Sequence, residues 1–101
     1  MSQARFESLA DGHYRLAGEL SFATVPGLMA ESASLFVAGQ DLTLSLDQVE
    51  RIDSAGLALM VSLLRQAREQ GLVLNLQALP EQMLGLARVG GIEHLLIPSD
   101  V

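Results

Sequence analysis

One stretch of the sequence combines residue types that can do chemistry, Arg51-Ile52-Asp53-Ser54-Ala55-Gly56-Leu57. Aspartate and serine oxygens accept from the N–H groups that a helix's first turn leaves unpaired, so Asp53-Ser54 marks a helix start. A hydroxyl at such a start is well placed for phosphorylation. The resulting dianion would sit at the positive end of the helix dipole, near free N–H donors. The alternative gives Asp53 and Ser54 a capping role alone. Glycine in a first turn costs up to ~1 kcal/mol relative to alanine. Gly56 therefore signals either tight internal packing or the close approach of another molecule.

Catalytic readings of the same residues fail on their partners. A nucleophile elbow needs G-x-S-x-G, and Ile52 occupies the first glycine position. An aspartic dyad needs a second paired aspartate motif, and there is none. The candidate bases for a serine hydrolase are His13, beside an expected turn, and His94, at an expected strand edge. Two histidines without cysteine, and without H-x-x-x-H or EF-hand spacing, give no metal-site pattern. The expectation is a chain that is not an enzyme and needs no cofactor.

Composition narrows the field further. Twelve acids against six bases give a net charge of -6, and the pI is near 4.6. Nucleic acid and anionic membrane surfaces both call for cationic patches, so neither is an expected partner. All six bases are arginines, which removes a Walker-A lysine and a Schiff-base lysine. Without cysteine there is no disulfide framework and no thiol nucleophile. Hydrophobic residues make up 50% and mean hydropathy is +0.34, so there is ample apolar surface to bury. Aromatics are only 4%, which leaves the core to Leu, Val, Ile, Ala and Met. The longest nonpolar stretch, 55–64, is interrupted by Ser62 and is short of the ~20 residues a membrane span needs. Residues 1–13 lack the apolar core of a secretory signal. A cytoplasmic domain without membrane insertion is expected, with residues 1–101 forming one unit.

Elements that would position the Asp53-Ser54 stretch follow from periodicity. Residues 13–20 alternate as a strand, paired through an Asp11-Gly12 turn with a weaker strand at 5–9. Leu42, Leu44 and Leu46, and later Leu72, Leu74 and Leu76, alternate likewise, and 95–97 reads as a short last strand. Thr24 is placed to cap a helix over 25–38, with Pro26 in its first turn and Gly39 as its stop. Its Val25, Leu28, Met29, Ser32, Leu35 and Phe36 share a face. A second helix spans 54–70, with Leu57, Met60, Val61, Leu63, Leu64 and Ala67 as its apolar arc. A third spans 81–89 and stops at Gly90-Gly91. Strands alternating with helices imply an α/β fold with a mixed, mostly parallel sheet that opens with a hairpin.

Leu16-Ala17-Gly18-Glu19-Leu20, followed by Asp53-Ser54-Ala55-Gly56-Leu57 at a helix start, resembles the STAS domain family. The likeness runs from about Tyr14 to Leu96, and Pro80 to Ile92 resembles the family's third helix and following loop. It implies a STAS-like mixed sheet with three or more helices. Two branches of the family are relevant. In the anti-sigma factor antagonists, the hydroxyl residue after the aspartate is phosphorylated by an anti-sigma factor serine kinase, and Ser54 holds that position. An aspartate usually follows G-E-L in that branch, and here Ser21 does. The other branch is the cytoplasmic STAS subunit of phospholipid ABC transporters. Val49-Glu50-Arg51-Ile52-Asp53, Gly56-Leu57-Ala58-Leu59-Met60, Ala67-Arg68-Glu69-Gln70-Gly71 and Leu76-Gln77 are similar to that branch over a long stretch. The resemblance to it implies a small subunit bound to the ABC transporter ATP-binding subunit, and through it to the permease. It supports that ATPase's assembly and activity in moving phospholipids between membranes and maintaining outer-membrane lipid asymmetry.

A contact surface is also expected from the helical wheel. Leu59 lies about 160° from Leu57, outside the middle of the apolar arc, and Ala58 lies on the polar side. The N-terminal ends of the first two helices thus form an expected docking face of Asp53, Ser54, Ala55, Gly56, Ala58 and Leu59, with Thr24, Leu28 and Met29 as outer members. Ser54→Asp or Leu59→Glu is then expected to weaken partner binding while leaving the fold intact.

Overall fold

A computed structural model describes residues 4–36 and 40–97. The chain opens with a hairpin, β1 (Arg5–Ala10) and β2 (His13–Leu20), which turns at Asp11-Gly12. Gly12 has a φ of 72°, and a Cβ there would lie 2.9 Å from the Asp41 carbonyl oxygen. The turn therefore needs glycine for its backbone angle and for its space. Helix α1 (Val25–Ser32) and a 3₁₀ turn (Ala33–Leu35) lead to β3 (Leu42–Ile52), α2 (Ser54–Glu69), β4 (Leu74–Gln77), α3 (Glu81–Val89) and the single turn α4 (Glu93–Leu96). The four strands form one sheet in the order β1-β2-β3-β4, antiparallel at the first pairing and parallel at the other two. This is the mixed, mostly parallel α/β sheet with an opening hairpin that the sequence pattern implies.

The core follows strand alternation. Leu42, Leu44 and Leu46 are buried while Thr43 and Ser45 between them are half-buried. They join Leu16 and Leu20 of β2, Leu59, Met60 and Leu63 of α2, and Met83 and Ala87 of α3 in one apolar cluster. Away from that cluster, Arg15 of β2 pairs with Glu7 of β1 at 3.7 Å and Asp47 of β3 at 3.2 Å.

Strand β3 is longer than its leucine alternation indicates. Tyr14 pairs with Leu44 and Leu20 with Ile52, so β3 takes eight steps where β2 takes six. The two extra residues are accommodated by register shifts between Arg15 and Ala17 and between Gly18 and Glu19. An even number of extra residues returns Ile52 to the buried face. The Asp53 N–H then extends the pairing by donating to the Leu20 carbonyl at 3.0 Å.

Three expectations are corrected. Helix α1 stops at Ser32 rather than continuing to 38. The Ser32 hydroxyl bonds the Met29 carbonyl and the Ser34 hydroxyl bonds the Glu31 carbonyl, each at 2.7 Å. These side chains engage the terminal carbonyls as the chain tightens into a 3₁₀ turn. The expected stop at Gly39 lies outside the described residues. Residues 95–97 form no strand. Glu93–Leu96 is one helical turn, which places Ile92 and Leu96 four apart, half-buried and buried respectively. Finally, the buried side of α2 is rotated from the expected arc: Ala55, Gly56, Leu59, Met60, Leu63 and Ala67 face inward, and Leu57, Val61 and Leu64 are half-exposed.

Candidate functional site

The end of β3 delivers Asp53 to the start of α2, where its carboxylate makes two bonds. Oδ1 accepts from the Ala55 N–H at 2.8 Å and caps the helix. Oδ2 accepts from the Phe22 N–H at 3.2 Å and ties the β2–α1 loop to that helix. The loop is braced internally as well. The Thr24 hydroxyl donates to the Glu19 carbonyl at 2.6 Å and accepts from the Ser21 N–H at 3.0 Å. The Ser21 carbonyl accepts from the N–H groups of Thr24 and Val25, and its hydroxyl accepts from the Ala23 N–H. Thr24 thus braces the loop with its hydroxyl and makes no side-chain cap of α1, which corrects its expected role.

Ser54, at the first position of α2, is exposed, and among the described residues its hydroxyl has no hydrogen-bond partner. Ala58, one turn on, is exposed too. Phe22 is 72% exposed, on the loop that Asp53 holds. No sequence signal had singled out Phe22. A phenylalanine amid apolar residues reads as core, and its exposure depends on how Ser21 and Thr24 close the loop. A phosphoryl group on Ser54 would place a dianion at a helix start whose first turn holds no acidic residue, but next to the Asp53 carboxylate.

Several expected face residues are internal. Leu59 is 0% exposed and packs in the core, so Leu59→Glu would bury a charge and does not test a surface. Leu28 and Ala55 are buried with it, and Met29 is half-buried against the same cluster. Gly56 is buried for a local reason. A Cβ there would lie 2.5 Å from Ile52 Cγ1 and 2.8 Å from Leu20 Cβ. The close approach that Gly56 permits is thus that of its own sheet.

His13 stands apart from the site. His13 begins β2 whereas Leu20, next to the site, ends it, a separation of roughly 23 Å at strand rise. His94 is exposed on α4. Among the described residues no group of three His, Asp or Glu could hold a metal ion, and no helix is long and apolar enough to cross a membrane.

The family model described as "Mlab, STAS domain" matches residues 6–98. The chain belongs to the STAS domain family. A curated relative, the anti-sigma-B factor antagonist of Bacillus subtilis (strain 168), is 29% identical over 86 residues, covering 85% of this chain and 79% of its own length. STAS domains and such antagonists act by binding other proteins rather than by catalysis, and the sheet order and opening hairpin here accord with that fold.

Proposed function

We propose that this STAS chain is a non-catalytic subunit of a phospholipid ABC transport complex, held at the inner membrane only through its protein partner. It binds the ATPase subunit, through which it reaches the permease, and supports that ATPase's assembly and activity in intermembrane phospholipid transport. The observation that carries the reading is the exposed Phe22, Ser54 and Ala58 around the Asp53 carboxylate on a braced helix start. The charge such docking would cover, the Asp53 carboxylate, already accepts from the Phe22 and Ala55 N–H groups, which lowers the cost of taking it out of water. The family model's description favours the transporter branch. So does Ser21, which spends its backbone and hydroxyl on closing the loop where antagonists usually carry an aspartate.

A second reading is favoured by the Bacillus relative. In it the chain is an anti-sigma factor antagonist, released from its partner when a serine kinase phosphorylates Ser54. Affinity purification of the tagged chain from the cells that make it, followed by mass spectrometry, separates the two. The transporter reading expects an ABC ATPase with its permease, lost in Ser54→Asp. Recovery of a serine kinase instead, with phosphate on Ser54, would replace it with the second reading.

A further inference from the structure

From the Ser54 surface, a groove runs along α2 toward α4. Two hollows of about 380 and 330 Å³ adjoin there, sharing Val61 and Arg65. Their apolar lining is Leu57, Ala58, Val61 and Leu64 from α2 with Ile92 and Leu95 from the α4 segment, and Ser54 lines the larger hollow, so the groove continues the Ser54 surface. Leu95 is 45% exposed, and Leu57, Val61 and Leu64 are the α2 residues left half-exposed by the rotation of its buried side.

Charge says what belongs in this groove. Arg5, Arg15, Arg51 and Arg88 each have a carboxylate within 4 Å. Arg65 and Arg68, which line the groove, have none among the described residues, although the chain carries twelve acids and Glu69 lies four residues after Arg65. Among the described residues, an acidic chain thus leaves two arginines without a carboxylate partner on the rim of its apolar groove. Three residues apart on a helix, their side chains are neighbours on one face.

We propose that the α2–α4 groove is a docking site for an acidic amphipathic helix of another protein. Its apolar stripe covers Val61, Leu64 and Leu95, and two carboxylates three or four residues apart meet Arg65 and Arg68. A helix fits because the groove runs beside a helix and presents apolar residues at one-turn spacing; from Leu57 to Arg68 it is roughly 17 Å long, about three turns. The groove shares Ser54 and Ala58 with the surface proposed above to meet the ATPase, and the proposal rests on that surface being a protein contact.

The test installs the photo-crosslinker p-benzoylphenylalanine at Leu95 of the full chain, in the cells that make it. Crosslinked peptides are then sequenced by mass spectrometry. The expected product is a segment of another protein with apolar residues at helical spacing and at least two nearby Asp or Glu. Its yield is expected to fall roughly tenfold in the Arg65→Glu/Arg68→Glu variant, and to hold in Arg65→Lys/Arg68→Lys. Circular dichroism and melting confirm that the variants are folded, as both arginines are exposed. Crosslinking to a second copy of this chain, to lipid or to a segment without acidic residues, no crosslink, or a yield indifferent to charge reversal would each overturn the proposal. Ser54→Asp separates the two ends of this continuous surface. If it releases the ATPase and leaves the Leu95 crosslink, the Leu95 end holds a partner of its own. Should the crosslink persist when no ATPase is recovered from the wild-type chain, the groove stands while the transporter reading fails.

Discussion

Gly56 is where helix propensity and packing oppose each other. Replacing it with alanine gains up to ~1 kcal/mol of helix propensity in isolation. The new Cβ would have to fit 2.5 Å from Ile52 Cγ1 and 2.8 Å from Leu20 Cβ, neither of which is the free end of a flexible chain. Overpacking of this kind costs about 1–3 kcal/mol, so Gly56→Ala is expected to be destabilising despite the propensity gain, by a lowered urea midpoint at unchanged slope. Asp53 offers the complementary case. Asp53→Ala removes both the cap on Ala55 and the tie to Phe22, and is expected to cost about 1–2 kcal/mol in the same assay. Both residues were legible in the sequence, because capping and close approach are local properties of Asp-Ser-x-Gly. Phe22 was not, since its exposure is fixed by hydrogen bonds between residues 19 and 24 and by a carboxylate thirty-one positions away.

At the level of elements, periodicity was readable wherever burial was simple. The hairpin and α3 stand close to where alternation and turn residues put them. Strand β3 beyond Leu46 was hidden because its register shifts break strict alternation. Helix α2 was rotated because apolar residues cover most of its wheel, and only the neighbouring elements decide which of them face the sheet. Leu59 tests that rotation. Leu59→Ala is expected to cost about 2–5 kcal/mol by leaving a cavity in the core, whereas a surface position would barely respond. The sheet also carries a pH signature. The Ser45 hydroxyl, above all, holds the Asp47 carboxyl below its ordinary value, with Arg15 assisting. The folded chain thus favours the carboxylate. That contribution is fully present above the unfolded carboxyl value, near pH ~4, and fades as pH falls through the lower folded one. Melting temperatures of the native chain and Asp47→Asn are therefore expected to differ at pH 6 and to converge as the pH is lowered below 4. A gap that stays constant would mean the effect of the substitution is not ionic.

Over the whole molecule, the acidic surplus sets where a partner can sit. A chain of net charge -6 repels anionic surfaces at long range. Contact with such surroundings then favours uncharged patches or the few unpaired cations. The described surface includes the Phe22-Ser54-Ala58 face around Asp53 and, continuous with it, the groove rimmed by Arg65 and Arg68, besides exposed apolar side chains such as Val89. In the first, Phe22 is the side chain most able to anchor a partner. It is the large apolar group on a braced loop, so little further ordering is needed on binding. Binding energy in protein interfaces concentrates in such central aromatic groups, with truncation of a strong anchor costing about 2 kcal/mol or more. On the proposed function, Phe22→Ala is therefore expected to weaken binding to the proposed ATPase partner by more than roughly tenfold in Kd, measured by titration calorimetry, with the melting temperature of the free chain unchanged. Leu9→Ala supplies the contrast. Leu9 is also half-exposed, but it lies at the turn end of the hairpin, away from the Leu20 end that leads to Phe22. Its truncation is expected to leave Kd where it was. Equal losses from both substitutions would place the contact elsewhere than the start of α2.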